Sequence, residues 1–197
     1  GARIPDDRPP NIDADFPPGN TGIEGLELEA RLAASQEELL FERLVADMAC
    51  RFGGIDPNRV DDVIVDALNR IVDTLGLDRA VVWRRTRGEM NVVPTHCWVR
   101  VSLPSPPDEL PASDFPWVFS TLDDGHFLSF CNRADISSRP DRESFERCGL
   151  QSAAIFPLPS SHDGDGQYAL GISSITEPRE WAQGILERLR LAAGGVR

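Results

Sequence analysis

The chain has 197 residues, 41% of them hydrophobic, with 32 acidic against 20 basic residues and a net charge of -12. That is enough apolar material for one ordinary core of roughly 100–150 residues with extensions. The acidic balance argues against a phosphate-backbone or anionic-membrane surface, and no run reaches the roughly 18 apolar residues of a transmembrane helix.

The opening "GARIPDD" lacks the apolar stretch of a signal peptide and an initiator Met, and reads as an excised fragment or an expression scar. Residues 1–25 are rich in Pro, Asp and Gly and cannot build a core, so a disordered segment or linker is expected. From Leu26 to Phe52 the pattern is helical. Leu28 and Leu32 share one face, and Phe41, Val45, Met48 and Phe52 follow at spacings of four, three and four. This narrow apolar seam suits a helical partner, and Gly53 and Gly54 end it.

Asp56 can cap the next helix, with Pro57 at its first position. Val60, Val63, Ile64, Ala67, Leu68, Ile71, Val72 and Leu75 form a wide apolar stripe at helical spacing, stopped by Gly76. "RAVVWRR" (Arg79–Arg85) reads as a strand, Arg87-Gly88 as a turn and "MNVVPTHCWV" (Met90–Val99) as the second strand of a hairpin. Pro94 predicts an edge position or a bulge. Val99 to Ser113 holds four prolines and reads as a long loop of the kind that serves as a lid or stays disordered.

A short helix follows in "SDFPWVFSTLDDG", capped by Ser113 or Asp114 and closed by Gly125; His126–Cys131 is a third strand. Ser138-Arg139-Pro140 opens another helix that ends at Gly149, with Leu150 turned inward. "SAAIFPL" and "QYALGISSI" are two further strands joined by the turn "SSHDGDGQ". The last helix places Trp181, Ile185, Leu189 and Ala192 on one face. The order α-α-β-β-α-β-α-β-β-α, with hairpins and single helices, makes the fold α+β with an antiparallel sheet of five clear strands flanked by helices.

Four segments in register resemble the GAF family, sensor modules related in shape to PAS domains. They are "VDDVIVDALNRIVDTLGLDRAVVW" with its Asp78-Arg79 lead into the first strand, "THCWV", "DFPWVFSTLDDGHFLSF", and "RESFERCGLQSAAIFPL"; Trp181 before the last helix also fits. The likeness is greatest to GAF modules upstream of output domains in bacterial histidine kinases and transcriptional activators. It implies a six-stranded sheet, the sixth strand being short and hidden in the proline loop. It also implies a division into residues 1–25, a signalling and dimerisation helix at 26–52, and a sensor domain at 53–197. The implied function is non-catalytic, cytoplasmic signal transduction. A small ligand of unknown identity would act through flanking helices, with a homodimer and a covalently linked output domain as partners and no cofactor named.

Six residues are candidates for the ligand site: Trp98, Trp117 and Phe119 as aromatic walls, Cys131 as a thiol near a strand end, and Gln151 and Ser152 where the family's strand begins beside its cavity. Trp117 stands out because it follows the proline loop.

The other chemistry is weaker. His96-Cys97 reverses the Cys-His order of tetrapyrrole-carrying relatives, and strand neighbours point to opposite faces. Asn132-Arg133 and Asp135 are fragments of the cyclic-nucleotide signature Asn-Lys-Phe-Asp-Glu. Cys97, Cys131 and Cys148 can surround a pocket, as in methionine-sulfoxide-reducing relatives, but their spacing does not match that pattern. No C-x-x-C pair is present. Asp163-Gly164-Asp165-Gly166 fails as a calcium loop, because its sixth and twelfth positions are Tyr168 and Ser174. A structural dimerisation module with a filled cavity is the alternative to a sensor, and a sulfoxide reductase the more remote one.

Overall fold

The computed structural model describes residues 21–52, 59–86, 88–159 and 166–194, with the side chains of 21–23, 41 and 44–52 excepted. The chain forms two compact units, one ending at Ala33 and one beginning at Ala34. Helix α1 runs Thr21–Phe52, so it begins before the periodicity that starts at Leu26. Its Leu26, Leu28 and Leu32 are exposed. Four residues of the expected seam (Phe41, Val45, Met48 and Phe52) have side chains outside the described set, as do Asp56, Pro57 and the turn around Asp163.

Helix α2 (Val60–Leu75) buries Ala67, Leu68, Ile71, Val72 and Leu75, the carboxy-terminal part of its stripe, while Val60 stays exposed. Gly76, at φ 61°, ends the helix in the left-handed conformation that a side chain resists.

Six strands make one sheet in the order β3-β2-β1-β6-β5-β4, and every paired neighbour is antiparallel. They are β1 (Arg79–Thr86), β2 (Asn91–Val99), β3 (Leu110–Pro111), β4 (Leu128–Phe130), β5 (Ser152–Leu158) and β6 (Gly166–Ser174). The sixth strand is the expected short one inside the proline loop, pairing with Asn91 and Val92. Pro94 sits at a bulge: Val82 pairs with His96, but Trp83 pairs with Pro94, leaving Thr95 as the extra residue. The Thr95 hydroxyl donates to the Val82 carbonyl at 3.2 Å.

The strand order sends the chain from one edge of the sheet to the other between β3 and β4. Helix α3 (Pro116–Asp123) lies on that path, followed by α4 (Arg139–Arg147) before β5. Helix α5 (Gln183–Gly194) closes the described chain. Two cores result, one on each face. The first joins α2 and α5 to Ala80, Ala154, Phe156 and Ile172, all four wholly buried. The second gathers Phe115, Val118, Phe130, Phe145 and Leu150 around α3 and α4. On α5 the buried positions are Ile185, Leu186, Leu189 and Ala193; Ala192, expected inside, is exposed because the face turns one residue further along.

Two buried carboxylates tie loops and helix ends to this frame. Asp78 accepts the backbone N–H groups of Ile175 at 2.8 Å and Thr176 at 2.9 Å, the Thr176 hydroxyl at 2.9 Å and the Ser174 hydroxyl at 3.3 Å. Burial alone would raise its pKa. The bonds from Thr176, Ile175 and Ser174 outweigh that and hold it below the usual carboxylate value.

Asp141, wholly buried on α4, accepts the N–H groups of Trp117 at 3.0 Å and Val118 at 3.1 Å. It thereby caps α3 from another element. Ser113 and Asp114, the expected local caps, do not: the residue at the cap position is Phe115, and Asp114 pairs with Arg147 at 2.7 Å.

Candidate functional site

Between the sheet and the α3/α4 layer lies a cavity of about 250 Å³. Strand alternation selects its floor. In β1 the odd-numbered residues Arg79, Val81, Trp83 and Arg85 face it; in β5, Ala153, Ile155 and Pro157 do. A Cβ at Gly171 would stand 3.4 Å from Nε1 of Trp83, so the glycine leaves room for the indole to lie across β6.

Phe115 at the cap of helix α3, with Val118, Phe119 and Leu122 inside it, supplies a wall, spaced three, one and three residues apart as one helical face requires. Phe145, Cys148 and Leu150 close the α4 side. Gly149, at φ 72°, turns the chain out of α4 so that Leu150 enters the core. Pro107, from the proline loop, also lines the cavity.

Both ends of β1 bring an arginine. Arg85 is paired: its Nε donates to Gln167 at 2.9 Å, its Nη2 pairs with Asp123, and its guanidinium lies 4.5 Å from the centre of the Phe119 ring. Arg79 differs. It is only 3% exposed, its Nε has no partner, and its Nη1 makes one long bond, 3.4 Å, to the Pro104 carbonyl.

Of the six residues expected at the site, Phe119 lines the cavity and the other five do not. Trp98 pairs with Ala80 and packs with the α2/α5 core, on the far face of the sheet. Trp117 is one position off the cavity-facing stripe of α3 and packs half-buried beside the second core. Cys131, one residue past β4, is exposed. Gln151 is half-buried and uses its N–H on the Ser174 carbonyl at 2.9 Å. Ser152 is wholly buried, but alternation aims it with Ala154 and Phe156 away from the cavity, and its hydroxyl has no partner.

The residues overlooked were Arg79, Val81 and Trp83, together with Ala153 and Ile155. The period-two pattern of their strands was the available signal; which parity faced a cavity was not. His96 and Cys97 do part to opposite faces: His96 Nε2 meets Asp61 of α2 at 3.0 Å, whereas Cys97 pairs with Val81 on the cavity-side face and is exposed. Among the described residues no group of His, Cys, Asp and Glu is placed to hold a metal ion.

The GAF domain family model matches residues 59–194, the span that carries the sheet, the cavity and α2 to α5. The chain belongs to the GAF family.

Its fold is similar to the phycocyanobilin-bound GAF domain from a cyanobacterial phytochrome, at 18% identity and a TM-score of 0.62, over 77% of this chain and 88% of that one. The chromophore-binding domain of the Stigmatella aurantiaca bacteriophytochrome is similar at 15% identity and a TM-score of 0.62, over 79% of this chain and 58% of that one. The blue-light absorbing form of the Thermosynechococcus elongatus PixJ GAF domain is similar at 15% identity and a TM-score of 0.53, over 72% and 86%. At these identities the likeness is one of GAF fold. No curated protein matches the chain.

Proposed function

We propose that this GAF chain is a non-catalytic small-molecule sensor domain of a bacterial cytoplasmic signalling protein, with its ligand in the cavity between the sheet and α3/α4. The cavity is the observation that carries the reading. Ligand pockets run from roughly 300 to 1,000 Å³, so a space of about 250 Å³ suits a compact ligand. Relatives described as phycocyanobilin-bound and phycoerythrobilin-bound GAF domains support the small-molecule class.

The route outward runs through β5. Ala153 and Ile155 face the cavity, while Ala154 and Phe156 between them face the core that holds α5. Helix α5 and its lead-in are joined to α1 by the ion pairs Arg188–Glu42, at 2.9 Å, and Arg179–Glu37. A ligand that favours one packing of α5 on β5 thereby biases α1, and a covalently linked kinase or transcriptional-activator output would receive the change.

Exposed Leu39 and Leu40 on α1 and Leu191 on α5 support a homodimer through these helices. The same leucines favour the second reading, a dimerisation module with no ligand. Among the described residues no helix is long and apolar enough to cross a membrane.

A thermal-shift panel of small metabolites, run on the chain and on Ala153→Phe, separates the two readings. A cognate ligand at a hundred times its Kd stabilises by about 2.7 kcal/mol, roughly 5–10 °C for a chain of this size. That shift should vanish in Ala153→Phe, whose ring fills the cavity. A panel with no effect on the parent chain favours the dimerisation module.

A further inference from the structure

Burying a cation without a counter-charge is among the least favourable arrangements a fold can hold. Arg79 is in that state. Its side chain lines the cavity, 97% covered, and no acidic group stands within ion-pair distance of it among the described residues, in a chain that carries 32 acids. The adjacent Asp78 does not serve, because its carboxylate is taken by Ser174, Ile175 and Thr176.

The ionisable groups that act on Arg79 are the thiols of Cys148 and Cys97. Burial pushes the Cys148 thiol up, against the pull of Arg79, so at neutral pH it is an uncharged neighbour. The contrast with Arg85, on the same strand and the same face, is instructive: that guanidinium has a carboxylate, an amide and an aromatic ring.

We infer that the ligand of this cavity is a small monocarboxylate with an apolar body, its carboxylate paired with the Arg79 guanidinium; this rests on the cavity being the ligand site. The Arg79 Nε is buried without a partner, and the Nε edge of a planar guanidinium takes the two oxygens of a carboxylate in parallel once it turns toward the cavity. The surrounding wall of Val81, Phe115, Phe145 and Leu150 is apolar and suits an aliphatic or aromatic body, while Arg85, the other charge on the lining, is matched by Asp123. A phosphate ester carries close to two negative charges, and one of them would stay unmatched, because Arg85 is already paired with Asp123. The volume limits the body to about the size of one ring or a short chain.

The test uses matched pairs of probes that differ only in charge: benzoate against benzamide, and hexanoate against hexanamide, titrated into the full chain by ligand-observed NMR. In each pair the carboxylate is expected to bind at least ten-fold more tightly. In Arg79→Met, which keeps an apolar stem of similar length, the ratio should fall to about one while the amides still bind. Equal binding of carboxylate and amide to the parent chain would overturn the inference and leave the cavity as a ligand site. So would a carboxylate preference that survives in a folded Arg79→Met. If no member of either pair binds and Ala153→Phe changes nothing, the cavity reading falls and the inference with it. The comparison within the parent chain needs no variant to fold.

Discussion

On the α2/α5 face of the sheet, Ala80, Ala154, Phe156 and Ile172 have no solvent exposure at all. One residue along the same strands, on the opposite face, Val81, Ala153, Ile155 and Gly171 line open space. The strands are shared, so the difference comes from what covers them. The first face is closed by a helix of 16 residues and one of 12 residues, whose buried side chains meet the sheet directly. The second is covered by helices of 8 and 9 residues and a proline loop, linked by a crossover from one sheet edge to the other. Short elements held at their ends leave a gap; longer apolar stripes do not. One face is therefore packed solid and the other holds the cavity.

The largest expected contrast is between Phe156 and Phe119. Phe156→Ala empties a fully packed position and should cost about 3–5 kcal/mol. Phe119→Ala merely enlarges an existing cavity beside a half-exposed ring and should cost less than about 1.5 kcal/mol. Urea unfolding of the two variants measures both. Comparable losses would mean that the second face is as tightly packed as the first.

Next in size is Asp141→Ala. It removes the acceptor for the N–H groups of Trp117 and Val118 and for the Ser138 hydroxyl, leaving buried donors without partners. A loss of about 2–4 kcal/mol is expected, with the near-ultraviolet dichroism of the aromatic α3 region reduced before the far-ultraviolet signal. Loss of both signals together would show that the cavity wall has no independence from the rest of the fold.

The smallest effect, and the one that addresses the packed face, is acid sensitivity. The Asp78 carboxyl is held below its ordinary value by bonds that exist only when folded. Its stabilising contribution is therefore complete above the unfolded value, about 3.9, and is lost as pH falls from there through the lowered folded value. Asp78→Asn should be less stable than the parent at neutral pH and show a flatter decline below pH 4. An unchanged acid limb would assign that decline to other carboxylates.

Much of the architecture was readable from periodicity. The stripe of α2, the strands β1, β2, β5 and β6, the glycine stops at 76 and 149 and the bulge at Pro94 all follow from local rules that act over a few residues. Strand β3 is different: periodicity leaves its segment a loop, and only the family resemblance places a short strand there. Of the six candidate residues, Phe119 is the one that lines the cavity. Phe119 lies on the stripe 115, 118, 119, 122, and the same stripe would have set Trp117 aside. Trp98 and Ser152 lie away from the cavity for a single reason: alternation says which residues share a face, and nothing local says which face is closed by α2 and α5. The caps at Ser113 or Asp114 gave way to Asp141 because a buried carboxylate from a neighbouring helix reaches the same N–H groups.

By itself, then, the sequence determined the elements, their order and the α+β class, because apolar spacing and Gly and Pro geometry act within a turn or a strand. Tertiary structure alone decided which side of the sheet is hollow. It also decided that Arg79 sits there without a counter-charge among the described residues while Arg85 has one. Those facts depend on which helix lands on which face and on what lies across a gap from a given side chain, and both are set by contacts between residues distant in the chain.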